Sequence, residues 1–238
     1  RKTVQMVNSG IALSDHQVSF TVNTQVLVAT GKSRVDGGDI RFTDESGNSL
    51  SYWYDPAEYN TSSTTFWIKA NVSGGTSNLY MFYGNSTAAA VASGEGTFEL
   101  FDTFNSGSLS PITWDKCGSN ANVSIVGGAA TFGSNNATSP KSYLITSRQT
   151  FNMRIVAEMK VNSASSGRSL IGVIDNSNDG YANAYENGVM KMMKVSSGGD
   201  CKLVQQLTST ASQNVTALNG IHGIAWSASL NQLITWPG

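Results

Sequence analysis

Hydrophobicity in this chain alternates residue by residue. That period of two, sustained where a period of 3.6 is scarce, limits what the chain can fold into. Across 151–161, Phe151, Met153, Ile155, Ala157, Met159 and Val161 fall on one side of an extended backbone. Asn152, Arg154, Val156, Glu158 and Lys160 fall on the other. A strand of this length needs a broad sheet to cover its apolar side. The same rhythm places strands around Val18, Phe20 and Val22, around Ile40 and Phe42, and over 49–54, 64–72, 78–83, 169–174, 189–195, 201–207 and 221–227. Turn chemistry separates them: Asp36-Gly-Gly, Glu45-Ser-Gly-Asn, Ser73-Gly-Gly and Gly84-Asn-Ser. One short helix is expected over 24–30, closed by Gly31 where positive φ is needed, and Ala88-Ala-Ala-Val suggests a further helical turn. The fold class is all-β. With 238 residues there is chain for two cores, and the low-complexity stretch 86–96 divides it into two β-sandwich, jelly-roll-like domains in series, 1–96 and 97–238.

The surface chemistry narrows the setting. Ser, Thr, Asn and Gly make up 99 of the 238 residues while only 13% are charged, so the surface is hydroxyl- and amide-rich in the manner of secreted β-proteins. A net charge of −1 with no basic block offers no phosphate-binding face, which argues against nucleic acid. No stretch reaches the roughly eighteen apolar residues that cross a bilayer, and Arg1-Lys-Thr-Val-Gln is no signal peptide, so an exported chain is expected to have lost its signal. Asn-X-Ser/Thr triplets at Asn60, Asn71, Asn85, Asn122, Asn136 and Asn214 fit an extracellular or cell-surface glycoprotein. Cys117 and Cys201 read either as a disulfide of the second domain or as two separate buried thiols.

Catalytic chemistry is hard to find. A retaining glycosidase needs two carboxylates about 5 to 5.5 Å apart. The nearest pair, Glu99 and Asp102, is three residues apart, which on a strand sends the two groups to opposite faces and leaves them as polar residues of a domain-opening strand. His16, in a polar turn, and His222, beside a strand, accompany no nucleophile motif. No cofactor is required. Calcium is the one candidate ion: Asp175, Ser177, Asp179 and Glu186 occupy positions 1, 3, 5 and 12 of a calcium loop with Gly180 at position 6, the alternative being a hairpin turn in the same letters. Asp36, Asp39 and Asp44 surround Arg41 and read as an internal salt bridge with turn capping, against a metal or ligand site. Sugar rings stack on aromatic faces. Tyr52, Tyr54, Tyr59 and Trp114, near turns or chain edges, form the candidate glycan platform, whereas Trp67 and Trp226 are expected in the core.

An ordered set of phrases carries a family resemblance: Arg1-Lys-Thr-Val, 31–44 (GKSRVDGGDIRFTD), Ser51-Tyr-Trp-Tyr, Phe66-Trp-Ile-Lys, Leu79-Tyr-Met-Phe-Tyr-Gly-Asn and Phe98. In these, residues 1–98 resemble domain of unknown function 2341, found in exported archaeal and bacterial proteins. The resemblance implies a small β-sandwich of a surface or secreted multidomain protein and brings no activity with it. Phe101-Asp-Thr-Phe, Ile125-Val-Gly-Gly-Ala-Ala-Thr-Phe, the 151–161 strand, Leu170-Ile-Gly-Val-Ile-Asp and Gly223-Ile-Ala-Trp-Ser resemble a concanavalin-type jelly roll of the lectin and laminin-G sort over 98–238. That resemblance implies a fold that often binds glycans and sometimes cleaves them; the chain stops at Thr235-Trp-Pro-Gly, short of where such a fold runs on.

The expected function is a non-catalytic extracellular structural or adhesive protein, such as a filament or surface-array subunit. The alternatives are a glycan-binding module of a larger secreted protein, with polysaccharide as partner, and, disfavoured by its carboxylates, a glycoside hydrolase. The chain opens inside one strand pattern, Lys2-Thr-Val-Gln-Met-Val, and closes inside another, Gln232-Leu-Ile-Thr-Trp. Terminal strands at sheet edges predict self-assembly by strand addition, head to tail into a fibre; the alternative is that the chain is a fragment of a longer protein.

Overall fold

A computed structural model describes residues 1–107, 115–117, 122–133, 143–145, 155–161, 168–174, 180–186, 189–195, 212–214, 220–227 and 232–236. The chain divides into two compact units, Arg1–Thr103 and Phe104–Gly238. The described residues are mostly β, in antiparallel sheets with little helix.

The first unit packs two three-stranded sheets face to face. One has the order β1 (Lys2–Asn8), β6 (Gly75–Phe82), β3 (Arg41–Thr43); the other has β2 (Leu13–Val22), β5 (Thr64–Val72), β4 (Tyr52–Trp53). Period two sets what each buries. On β5, Phe66, Ile68 and Ala70 are buried while Thr65, Trp67 and Lys69 between them are only half-buried. The register sets Phe20 opposite Phe66, and Ile68 between Val18 and Tyr52. From the other sheet Phe42, Leu79 and Met81 close the core. Phe42 meets Phe20, Tyr52 and Phe66 with ring centroids 5.0–5.8 Å apart, all edge-on or tilted, the arrangement ring quadrupoles favour. Each of the fully buried apolar side chains Phe42, Phe66, Ile68, Leu79 and Met81 contributes about 1.5–3 kcal/mol relative to exposure.

The expected helix forms as α1 (Thr24–Ala29). Asn23 caps its N-terminus by accepting from the Val26 N–H at 3.1 Å, and Gly31 follows at φ 66°. No helix forms at Ala88–Val91. There the Arg34 guanidinium donates to the Ala88 carbonyl at 2.6 Å and Arg41 donates to Ala89, so side chains take carbonyls that a helix would use. The short helix comes later, α2 (Gly94–Thr97), capped by Ser93 through Gly96 N–H at 3.1 Å. It carries Phe98 and Phe101 back over the outer face of the β2-β5-β4 sheet. Phe98 and Phe101 stack at 5.7 Å, with Trp53 5.8 and 5.1 Å from them and Trp67 5.7 Å from Phe98. Trp67 therefore packs in a small outer cluster rather than in the main core, and the first unit extends to Thr103.

In the second unit, β7 (Asp115–Cys117) pairs with β10 (Tyr143–Ile145) and β8 (Asn122–Val126) with β9 (Ala129–Gly133). A three-stranded sheet has the order β11 (Ile155–Val161), β16 (Gly220–Ser227), β17 (Gln232–Trp236); a four-stranded one runs β12 (Arg168–Ile174), β13 (Gly180–Glu186), β14 (Val189–Val195), β15 (Ser212–Asn214). The expected strands at 169–174, 189–195 and 221–227 fall on β12, β14 and β16, and the described part of the 151–161 strand is β11; the expected strand at 201–207 lies outside the described residues.

Candidate functional site

The polar groups richest in chemistry lie in the 33–41 segment, and the fold turns them inward. Asp39 is only 2% exposed, and its carboxylate accepts from the Ser33 hydroxyl at 2.9 Å, the Arg34 N–H at 3.0 Å and the Gly84 N–H at 2.7 Å. Since Ser33 spends its proton on Asp39, the Tyr59 hydroxyl is the donor across the 2.7 Å contact to Ser33. Tyr54 donates to the Asp36 carbonyl at 2.8 Å and Tyr52 to the Ile40 carbonyl at 2.6 Å. Burial, the largest influence on each, raises the affinity of all three phenols for their protons. Gly37, at φ 65°, lets the turn lie flat on Tyr54 and Tyr59.

This geometry corrects the expected glycan platform. Tyr52, Tyr54 and Tyr59 are 2%, 5% and 7% exposed, and their rings pack against each other and Phe66, leaving no face for a sugar. Trp114 lies outside the described residues. The expected Arg41 salt bridge is also corrected. Asp36 pairs with Arg34, and its carboxyl is held below the usual range first by the Gly38 N–H and then by Arg34. Asp44 caps its own turn through Asn48, which lowers its carboxyl likewise. Arg41 instead donates to the carbonyls of Gly38, Ile40 and Ala89. Turn capping was legible from the letters; the partners were not.

Glu99 lies in a bend rather than a strand and pairs with Lys69 at 3.2 Å. His16 is on β2 opposite Ala70, just past a bulge, not in a turn. Of the expected calcium set only Glu186 is described, as the last residue of β13. Glu186 pairs with Arg168 and Val189, about 20 Å along the strand from Gly180. Asp175, Ser177 and Asp179 lie outside the described residues, as does Cys201, which leaves the bridge to Cys117 on β7 outside them too. Asn60, Asn71 and Asn85 are exposed; Asn122 and Asn214 lie on β8 and β15, and Asn136 is outside the described residues.

What the first unit does present is an edge. β3 and β4 end their sheets with three and two residues. β2 is interrupted by a register shift between Leu13 and His16, with Asp15 at φ 50°. Short and bulged strands are how proteins blunt sheet edges. β1 has neither protection: its seven residues pair with β6 in unbroken register, and it contains no proline. Beside it, between β1 and β2, opens a cleft of about 320 Å³ whose apolar lining includes Val4, Met6, Leu13, Val18, Phe20 and Val72. Val7, which lines it, and Ile11, in the link that follows β1, stand 75% and 83% exposed. The link that carries Ile11 is held by Asn8, whose amide donates to the carbonyls of Ile11 at 2.8 Å and Ser73 at 3.2 Å. The strand pattern at 2–7 already suggests a terminal edge strand; the cleft beside it has no sequence signal, because it is formed between β1 and β2 of two different sheets.

Residues 36–117 match the family model described as Domain of unknown function (DUF2341). The match begins inside the first unit, at Asp36, and continues past Thr103 to Cys117, so it covers the buried tyrosines, Asp39 and the Trp53–Phe101 cluster but not β1 or β2. No curated protein and no solved structure matches the chain, and the concanavalin-type resemblance finds no support.

Proposed function

We propose that this chain is a non-catalytic structural or adhesive protein of a cell surface or extracellular assembly, a filament or surface-array subunit built of β-sandwich units in series, whose subunits associate through sheet edges. The observation that carries the reading is β1: a seven-residue, unbulged edge strand bordered by an apolar cleft and by exposed Val7 and Ile11. Backbone N–H and C=O groups on an open edge are an affinity for another extended chain, and apolar surface beside them adds to it. The use of Asp39 and of Tyr52, Tyr54 and Tyr59 in internal hydrogen bonds supports a building-block role, since these groups hold the turn and core together. Exposed Asn60, Asn71 and Asn85 leave room for glycans on an exported chain. Light scattering on size-exclusion fractions of the full chain, followed by electron microscopy, tests the reading. Concentration-dependent assemblies are expected. A chain that stays monomeric and is retained on a polysaccharide column would replace it with the glycan-binding module.

A further inference from the structure

We propose that the edge of β1 pairs antiparallel with β1 of a second copy of this chain, about a two-fold axis at Gln5. The proposal rests on assembly through sheet edges and specifies which edge and which symmetry. Among the described edges of the first unit, β1 alone combines length, unbroken register and freedom from a bulge. Every second residue of such a strand directs its N–H and C=O to the open side, so two copies can exchange a ladder of main-chain bonds without rearrangement.

Charge sets the direction in which a second copy pairs. The only charges in 1–12 are Arg1 and Lys2, both at one end. Parallel self-pairing would set Lys2 beside Lys2 of the second copy. Antiparallel pairing centred on Gln5 sets Lys2 opposite Asn8, Thr3 opposite Val7 and Val4 opposite Met6, and it separates the two lysine backbones by about 20 Å, beyond the screening length at physiological salt. Val7, the exposed apolar residue of the strand, then lies across from Thr3 and diagonal to Arg1 of the other copy, whose guanidinium rests 4.8 Å over the Tyr80 ring. The interface uses one patch on both copies, so it closes as a pair, unlike the head-to-tail addition of terminal strands expected from the sequence. A longer assembly would need a second contact elsewhere.

Single cysteines in the full chain test the register. At Gln5→Cys the two Cα atoms lie about 4.5–5.5 Å apart, within disulfide reach; at Thr3→Cys they are offset by four residues, about 13 Å, and out of reach. Mild oxidation should give a covalent dimer with Gln5→Cys, above the level of the unsubstituted chain, and none above that level with Thr3→Cys. Val7→Lys should weaken association roughly tenfold and Val7→Glu should strengthen it, because symmetry counts each cross-strand contact twice. Both substitutions are at an exposed position that the fold does not need. Association without a Gln5 cross-link, or equal cross-linking at both positions, would overturn the β1 pairing and leave edge assembly standing. A chain monomeric at every concentration would overturn both.

Discussion

Gly31 and Gly37 form a matched pair for testing how the 33–41 turn is held. Their φ angles are 66° and 65°, so alanine at either would enter the left-handed region at a similar cost, about 1–2 kcal/mol. Their surroundings differ. A Cβ on Gly31 would meet nothing within 4 Å, whereas one on Gly37 would lie 2.5 Å from the Tyr54 hydroxyl and 2.8 and 2.9 Å from the Tyr59 ring. Neither tyrosine can withdraw freely, because Tyr54 is bonded to the Asp36 carbonyl at 2.8 Å and Tyr59 to Ser33 at 2.7 Å. Forcing a methyl into such packing costs about 1–3 kcal/mol more. Gly31→Ala should therefore lower the stability of the first unit by about 1–2 kcal/mol and Gly37→Ala by about 2–5 kcal/mol. Urea unfolding of the full chain, followed by near-ultraviolet circular dichroism of the tyrosine band, measures both. Combining Gly37→Ala with Tyr54→Phe should cost less than the sum of the two, since loss of the hydroxyl clears the nearest contact. Equal losses for Gly31→Ala and Gly37→Ala would refute the packed tyrosine turn.

Asp39→Asn should cost about 1–3 kcal/mol in the same assay, because an amide nitrogen replaces one of two carboxylate oxygens that face only donors. Alkali should destabilise the first unit as pH rises above about 10: the unfolded chain then releases phenolic protons that buried Tyr52, Tyr54 and Tyr59 retain, so the folded state binds more protons and loses ground with each increment. Thermal midpoints across that range should fall less steeply in Tyr54→Phe. Phe101→Ala should loosen the segment lying on Trp53, seen as faster limited proteolysis within 93–103 and a shift in tryptophan emission, with the main core unchanged. Expression in a glycosylating host should add mass at Asn60 that Asn60→Gln removes; Asn60→Gly should remove it with no loss of stability, since residue 60 sits at φ 60°.

Local rules sufficed wherever a local cause decides the outcome. Period two and turn chemistry located β5 at Thr64–Val72 and β14 at Val189–Val195, and a closing glycine at Gly31 located α1, because alternation and helix termination are settled within a few residues. The buried tyrosines show where that stops. Tyr52 and Tyr54 sit on the core side of the chain while Trp53 between them looks outward to Phe98 and Phe101. An alternating strand with aromatics on both faces is symmetric to a sequence reader. Only the sheet stacked against one face breaks the tie. Partners far along the chain were equally hidden: Asp39 is satisfied by Gly84, 45 residues on, and Arg34 and Arg41 hold Ala88 and Ala89 out of the helix their composition favours. The surroundings of the β1 edge were decided at the same level. Alternation made β1 a strand and its place at the start of the pattern suggested an edge; the fold decided which edge, since β6 pairs with it on one side and, among the described residues, the chain crosses to the other sheet at Leu13 without pairing on the other.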